Sequence, residues 1–143
     1  MIYGKKQNAF SLIEVTLAVI IIGVLATLTG PAIMRKVRQL KVNATLSTMA
    51  SFKSALNDYR EDIGHFPNND EGRLDALVKR PKSALKWAGP YLEGREDLPQ
   101  DKWGNDFEYN CPPKKHKNLY HYYEIISEGD AVDTKGEELH MGQ

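Results

Sequence analysis

The apolar and polar positions of this chain fall into two regimes. Residues 8–34, "NAFSLIEVTLAVIIIGVLATLTGPAIM", hold about 20 apolar or weakly polar side chains in succession, the length that crosses a bilayer as one helix. Glu14 is the one carboxylate in that run. From Arg35 the pattern turns from continuous to periodic: Val37, Leu40, Ala44, Phe52, Leu56, Tyr59 and Ile63 recur mostly at three- and four-residue steps, the stripe of an amphipathic helix. Gly64 and Pro67 supply a stop. The pattern predicts one helix from about Ser11 to Ile63, on the order of 75–80 Å long at 1.5 Å per residue. Only its first half suits hydrocarbon. Ser11 and Glu14 read as a capping box at its start, and Pro31 predicts a kink, because it lacks an N–H and crowds the preceding turn.

Beyond Ile63 the signals are shorter. Asn68-Asn69-Asp70-Glu71 offers caps for a second, short helix carrying Leu74, Leu77 and Val78 on one face, with Pro81 closing it. From Pro81 to Asp101 turn residues predict loop, with Trp87, Pro90, Tyr91 and Leu92 as buried anchors. "DFEYN" and "NLYHYYEII" are aromatic and β-branched runs joined by "CPPKKHK", which predicts two antiparallel strands. The tail from Ser127 is acidic and contains glycine, so it reads as loop. The expected class is α+β, a long N-terminal helix whose second half packs on a small antiparallel sheet, with a short helix and loops.

Charge and composition narrow the function classes. Nineteen Lys and Arg balance nineteen Asp and Glu over 143 residues, so no global field points to a nucleic-acid partner. Lys5 and Lys6 precede the apolar run while Arg35, Lys36, Arg38 and Lys41 follow it, and the basic count alone does not orient a span. Cys111 is the only cysteine, which excludes an intramolecular disulfide. His65, His116, His121 and His140 show no metal-ligand spacing, and no catalytic constellation emerges. The basic "KKHK" at 114–117 reads as a solvated hairpin loop. The tail "SEGDAVDTKGEEL" gathers hard oxygen donors, as a solvated acidic tail or a calcium site would.

The N-terminal residues carry a resemblance. A short basic leader "GKKQNA", then Phe10, "SLI" and Glu14 resemble the N-terminus of type IV pilin-like proteins, with Ala9 where glycine is usual before the cut. "IGHFPNNDEGRLDALVKRP", "WAGPYLEG", "LPQDKWGNDFEY" and "YYEIISEGD" follow the order of the type II secretion major pseudopilin family. The lone Cys111 sets the chain apart from true pilins, which generally carry a C-terminal disulfide loop.

That resemblance implies a leader over residues 1–9, a transmembrane and polymerisation helix over 10–34, and a periplasmic head over 35–143. It implies cleavage between Ala9 and Phe10 by a prepilin peptidase, N-methylation of Phe10, and a role for Glu14 in assembly. The chain is then no enzyme but an inner-membrane subunit of a helical homo-oligomeric filament that drives protein export. Its other partners are further pseudopilins and the secretion platform. The family also implies a calcium ion in the C-terminal loop, held here by Asp130, Asp133, Glu137 and Glu138, although Ala131 stands where an acid is expected and the closing stretch is short. The alternatives are a minor pseudopilin, a type IV pilin, or a membrane-anchored binding or enzymatic domain.

Overall fold

The computed structural model describes residues 10–92, 94, 96–130 and 138–143, apart from the side chains at 28, 29 and 31. The chain divides into two units, Met1–Gln39 and Leu40–Gln143. Helix α1, Leu12–Ile63, contributes to both.

In the first unit α1 begins on main-chain bonds rather than a side-chain box: the Ser11 carbonyl accepts from the N–H groups of Glu14 (3.0 Å) and Val15 (3.2 Å). Its leading apolar side chains are exposed, Leu12 at 84% and Ile13 at 74%. Two hydroxyls in the run are satisfied within the helix, Thr16 donating to the Ile13 carbonyl at 2.9 Å and Thr27 to that of Val24 at 2.7 Å. A helix that keeps its polar groups internally bonded is compatible with hydrocarbon. Position 31 lies within the continuous span, and the Pro31 side chain, where the sequence anticipates a kink, is outside the described residues.

In the second unit α1 supplies one wall of the core. Thr45, Met49, Phe52, Ala55, Leu56 and Tyr59 are buried at helical spacing. Burial on this helix starts at Thr45, so Val37 and Leu40 continue the periodic stripe yet remain exposed. Gly64 ends the helix at φ 97°, a left-handed conformation natural to glycine, with its N–H on the Arg60 carbonyl at 2.8 Å.

The expected second helix forms as one short 3₁₀ segment, η1 (Arg73–Leu77), which buries Leu74, Ala76 and Leu77. A capping-box pattern precedes it. The Asn68 Oδ1 accepts from the Asp70 and Glu71 amides at 2.9 and 3.1 Å, and the Glu71 carboxylate accepts from the Asn68 amide at 3.2 Å.

Three antiparallel strands follow: β1 (Glu108–Asn110), β2 (Glu124–Ser127) and β3 (Leu139–Gly142), in the order β1-β2-β3. Two corrections to the sequence reading arise here. The run "NLYHYYEII" forms a strand only from Glu124, because residues 117–119 make a turn closed by the Leu119 and Tyr120 amides on the His116 carbonyl. Second, the tail read as loop contains β3, which pairs Ile125 with Met141 and Ile126 with His140. Gly142 is required in β3, since a Cβ there would overlap the Tyr123 carbonyl oxygen and the Tyr120 ring.

The loop between η1 and β1 is held by Trp87 and Tyr91, expected as buried anchors and found half-buried against the core. Trp87 Nε1 donates to the Ala76 carbonyl at 2.7 Å, and the Tyr91 hydroxyl donates to Asp62 at 2.8 Å. Leu92 is buried, whereas Pro90 is exposed.

Core truncation tests this layout. Phe52 is fully buried and meets Phe107 edge-to-face at 5.2 Å, so Phe52→Ala is expected to destabilise the head by about 3–5 kcal/mol. The Tyr123 hydroxyl is buried without a hydrogen-bond partner among the described residues, so Tyr123→Phe is expected to be neutral or to stabilise by about 1 kcal/mol. Denaturant titration of the full-length chain in detergent reads both; a large loss from Tyr123→Phe would show that the phenol is bonded after all.

Candidate functional site

Two regions gather the residues that the sequence singles out. The first is the start of α1. Glu14 lies in the first turn, where the unpaired amides of a helix favour negative charge. Phe10 stands four residues earlier and is 79% exposed, and Ala9 is outside the described residues. The apolar window behind Glu14 has a mean hydropathy of 2.4, sufficient by length and composition to cross a membrane.

The second region surrounds the acidic segment. Asp101 is 5% exposed, and its carboxylate accepts from the Trp103 amide at 2.9 Å, the Asn105 amide at 2.8 Å, Asn105 Nδ2 at 3.1 Å and the Ser127 hydroxyl at 2.7 Å. Burial pushes this carboxyl up, but the hydrogen bonds outweigh it and hold the group below its usual range. Asn105 Nδ2 also reaches the Gly129 carbonyl at 2.8 Å, and the Gly129 amide donates to the Ser127 hydroxyl at 3.2 Å. Gly104, at φ 89°, closes the turn that aims these donors. Residues 127–129 are thereby fastened to the 101–105 turn.

Glu124, which the sequence reading passes over, is the most enclosed charge among the described residues of the head, with no exposed surface. The segment expected to be merely solvated supplies its cradle. The amides of Lys114, Lys115 and His116 donate to its carboxylate at 2.6, 2.8 and 2.7 Å. Asn110 Nδ2 adds a fourth bond at 3.0 Å. Burial raises the carboxyl's pKa, yet the backbone donors from Lys115, Lys114 and His116, with Asn110, outweigh it and lower the value to about 2. The sequence signal was the acid itself: a glutamate between "YY" and "II" in a strand must find donors if the strand is central.

Around the cradle lies a second layer of charge. His116 Nδ1 is 3.2 Å from Glu124 and its Nε2 is 3.3 Å from Glu138. Lys115 Nζ lies 2.8 Å from Glu108 and 3.6 Å from Glu138. The imidazoles of His116 and His140, scattered in sequence, stack at 4.1 Å, and His140 Nδ1 is 2.9 Å from the Tyr120 hydroxyl.

Of the four acids expected to hold calcium, Asp133 and Glu137 are outside the described residues. Asp130 is half-buried, and Glu138 faces Lys115 and His116. Among the described residues no three His, Cys, Asp or Glu side chains are grouped to hold a metal ion. Burial pushes the Cys111 thiol up, which disfavours the thiolate needed for nucleophilic chemistry.

The cradle makes a pH prediction. Glu124 titrates near 4.5 when unfolded and near 2 when folded, so its stabilisation is complete above the unfolded value and is lost as pH falls through the folded one. The amount at neutral pH is about 3 kcal/mol. Glu124→Gln is expected to remove most of it, because the amide NH₂ would face donors, and to flatten the acid limb of stability between about pH 5 and 2. Melting temperatures across that range check this; an unchanged acid limb would place the acid sensitivity elsewhere.

Comparison with known proteins adds to the geometry. A family model described as type II secretion system protein G matches residues 32–141, and one described as the prokaryotic N-terminal methylation motif matches residues 4–30. The type II secretion system core protein G of Pseudomonas aeruginosa is 34% identical over 112 residues, covering 78% of each chain. That of Escherichia coli K12 is 32% identical over 125 residues, covering 87% of this chain and 82% of its own. The crystal structure of the major pseudopilin from the type 2 secretion system of enterohaemorrhagic Escherichia coli superposes with a TM-score of 0.55 at 26% identity, covering 75% of this chain and 90% of that one.

Proposed function

The chain belongs to the type II secretion system protein G family and is a structural subunit of the secretion pseudopilus; we propose that it is the major subunit, polymerising through the first half of α1. The observation that carries this reading is the exposed apolar helix with a carboxylate in its first turn. The family is a structural one, and the proposed work of this chain is assembly rather than catalysis.

In the proposed cycle a prepilin peptidase removes residues 1–9 at the Ala9–Phe10 bond on the cytoplasmic side. Before the cut, Phe10 is joined to Ala9 by a peptide bond and has no free amine. After it, Phe10 carries a cationic α-amino group, and N-methylation leaves that charge in place. The new charge supplies what Glu14 needs. A carboxylate taken into the bilayer costs several kcal/mol unless it is paired. In the filament Glu14 of one copy pairs with the Phe10 amine of a neighbour, so that only the correct axial register relieves both charges. Uncut chains present no such amine and stay as membrane-stored monomers with a periplasmic head. Other pseudopilins and the inner-membrane platform are the remaining partners of the assembly, whose growth drives export across the outer membrane.

Two measurements test the proposal. Intact mass of protein recovered from cells with an active prepilin peptidase is expected to show loss of residues 1–9 and gain of one methyl group. A mature chain beginning at Met1 would exclude it. Glu14→Ala is expected to insert in the membrane and fold its head normally while losing most filament assembly and secretion. Normal secretion by that variant would reduce Glu14 to a helix-start residue on a plain anchor, as in an anchored binding or enzymatic domain.

A further inference from the structure

At the start of the second unit, one turn of α1 and one loop bring cations together. Lys41 and Thr45 share a face of the helix, four residues apart, and both meet the 101–105 turn. The Thr45 hydroxyl accepts from the Lys102 amide at 3.2 Å, and the Lys41 ammonium stands 5.8 Å from the centre of the Trp103 ring. Lys102 is exposed and Trp103 half-buried. Asp101 holds the turn in shape through the Trp103 and Asn105 amides, so the one acid of the tip is occupied by its own donors. A cation–π contact takes up none of the ammonium's N–H groups, which leaves Lys41 able to donate to a further acceptor.

The chain itself points to what that acceptor is. From Val15 to Asn57 there is no Asp or Glu, so Arg35, Lys36 and Lys41 have no carboxylate within helical reach on their own element. Removal of residues 1–9 takes Lys5 and Lys6 away, and the lysine and arginine charge flanking the apolar run then lies wholly on the head's side. Seven residues lead from Met34, where the run ends, to Lys41. Even fully extended they span no more than roughly 25 Å, which keeps Lys41 near the headgroup layer that borders the hydrocarbon. Cations beside a span attract anionic lipid, and lysine with tryptophan is the pairing that anchors a chain at a membrane interface.

We infer that Lys41, Lys102 and Trp103 form a docking surface for the headgroups of anionic phospholipids in the leaflet on the head's side. Phosphodiester oxygens accept from the two ammonium groups, and the indole lies at the interface. The contact holds the head of the stored subunit against the membrane until the subunit is drawn into a filament. It rests on the membrane-stored subunit proposed above and adds to it a recognition of lipid charge outside the apolar helix.

The test reconstitutes the full-length chain in phosphatidylcholine vesicles containing about 30% phosphatidylglycerol, with bromine near the headgroup of either the anionic lipid or an equal amount of the zwitterionic one. At low salt, tryptophan emission is expected to be quenched about threefold more by the brominated anionic lipid. Trp103→Phe is expected to abolish that excess, since Trp87 is the only other tryptophan. The double variant Lys41→Gln/Lys102→Gln is expected to lose most of it while remaining in the vesicles with an unchanged melting temperature. Inorganic phosphate at constant ionic strength is expected to leave the excess intact, which identifies the headgroup rather than free phosphate as the ligand. Equal quenching by the two lipids, an excess that survives loss of both lysines, or competition by inorganic phosphate would each overturn the docking surface. Release of the unaltered chain from the vesicles by alkaline carbonate would overturn the membrane reading beneath it, whereas retention with equal quenching overturns the docking surface alone.

Discussion

A carboxylate with no exposed surface, Glu124, sits on the central strand, and most of the head's polar architecture follows from the need to satisfy it. A bare carboxylate in that position would neutralise or unfold the strand. Four donors prevent this, three of them consecutive main-chain amides from 114–116. Fixing those amides fixes the connection between β1 and β2. That in turn places the Lys115 ammonium between Glu108 and Glu138 and orients His116 against His140. Each outer contact depends on the inner one. The register agrees, since Asn110 pairs with Glu124 across the β1–β2 ladder and its side chain reaches the same carboxylate.

The long helix meets a different constraint, because one element must suit two environments. Its first stretch carries exposed Leu, Ile and Val with threonine hydroxyls bonded back to the helix. Its second buries one stripe from Thr45 to Tyr59. Helix propensity does not distinguish the two; the arrangement of apolar side chains does, all round in one and on a stripe in the other. At the far end Arg60 also lies over the rings of Phe66 and Tyr122, at 5.1 and 5.5 Å, so the last turn is tied to the sheet side of the head as well as to the core.

Where one continuous physical signal governs an element, the sequence made it readable. Helix α1 was legible at both ends because uniform apolarity begins it and Gly64 ends it. The start of the helix was legible as a motif, since a basic leader, Phe10 and Glu14 have few other uses in that order. Periodicity proved weaker evidence: Val37 and Leu40 keep the stripe yet are exposed, because spacing defines a face without saying what covers it. Strand β3 was hidden because "LHMG" is only four residues long, follows an acidic stretch and holds no β-branched residue, so its brief Leu139–Met141 alternation carries little signal. It is a strand by virtue of Ile125 and Ile126 opposite it. The cradle was hidden for a deeper reason: main-chain amides are its donors, and every residue except proline has one. The side chains of Lys114, Lys115 and His116 announce a solvated loop, whereas their amides do the binding. The His116–His140 stack depends on the β2–β3 register and could not be inferred from two histidines far apart in sequence.

Glu14 and Glu124 are the same residue set two versions of one problem. Glu124 is folded into a head that supplies its own donors, so its charge is met within the chain and becomes a source of stability. Glu14 stands where the surrounding solvent is expected to be hydrocarbon, and the charge proposed to meet it does not exist until the leader is cut and a second copy arrives. A group whose cost is relieved within one molecule stabilises that molecule. Relief that comes only from a neighbour stabilises the assembly, and the penalty for mispairing then becomes a selector of register. With the assembly role proposed for Glu14, the placement of one acid inside the sheet and the other at the start of an exposed apolar helix would separate folding from polymerisation and let the head form before any filament contact is made.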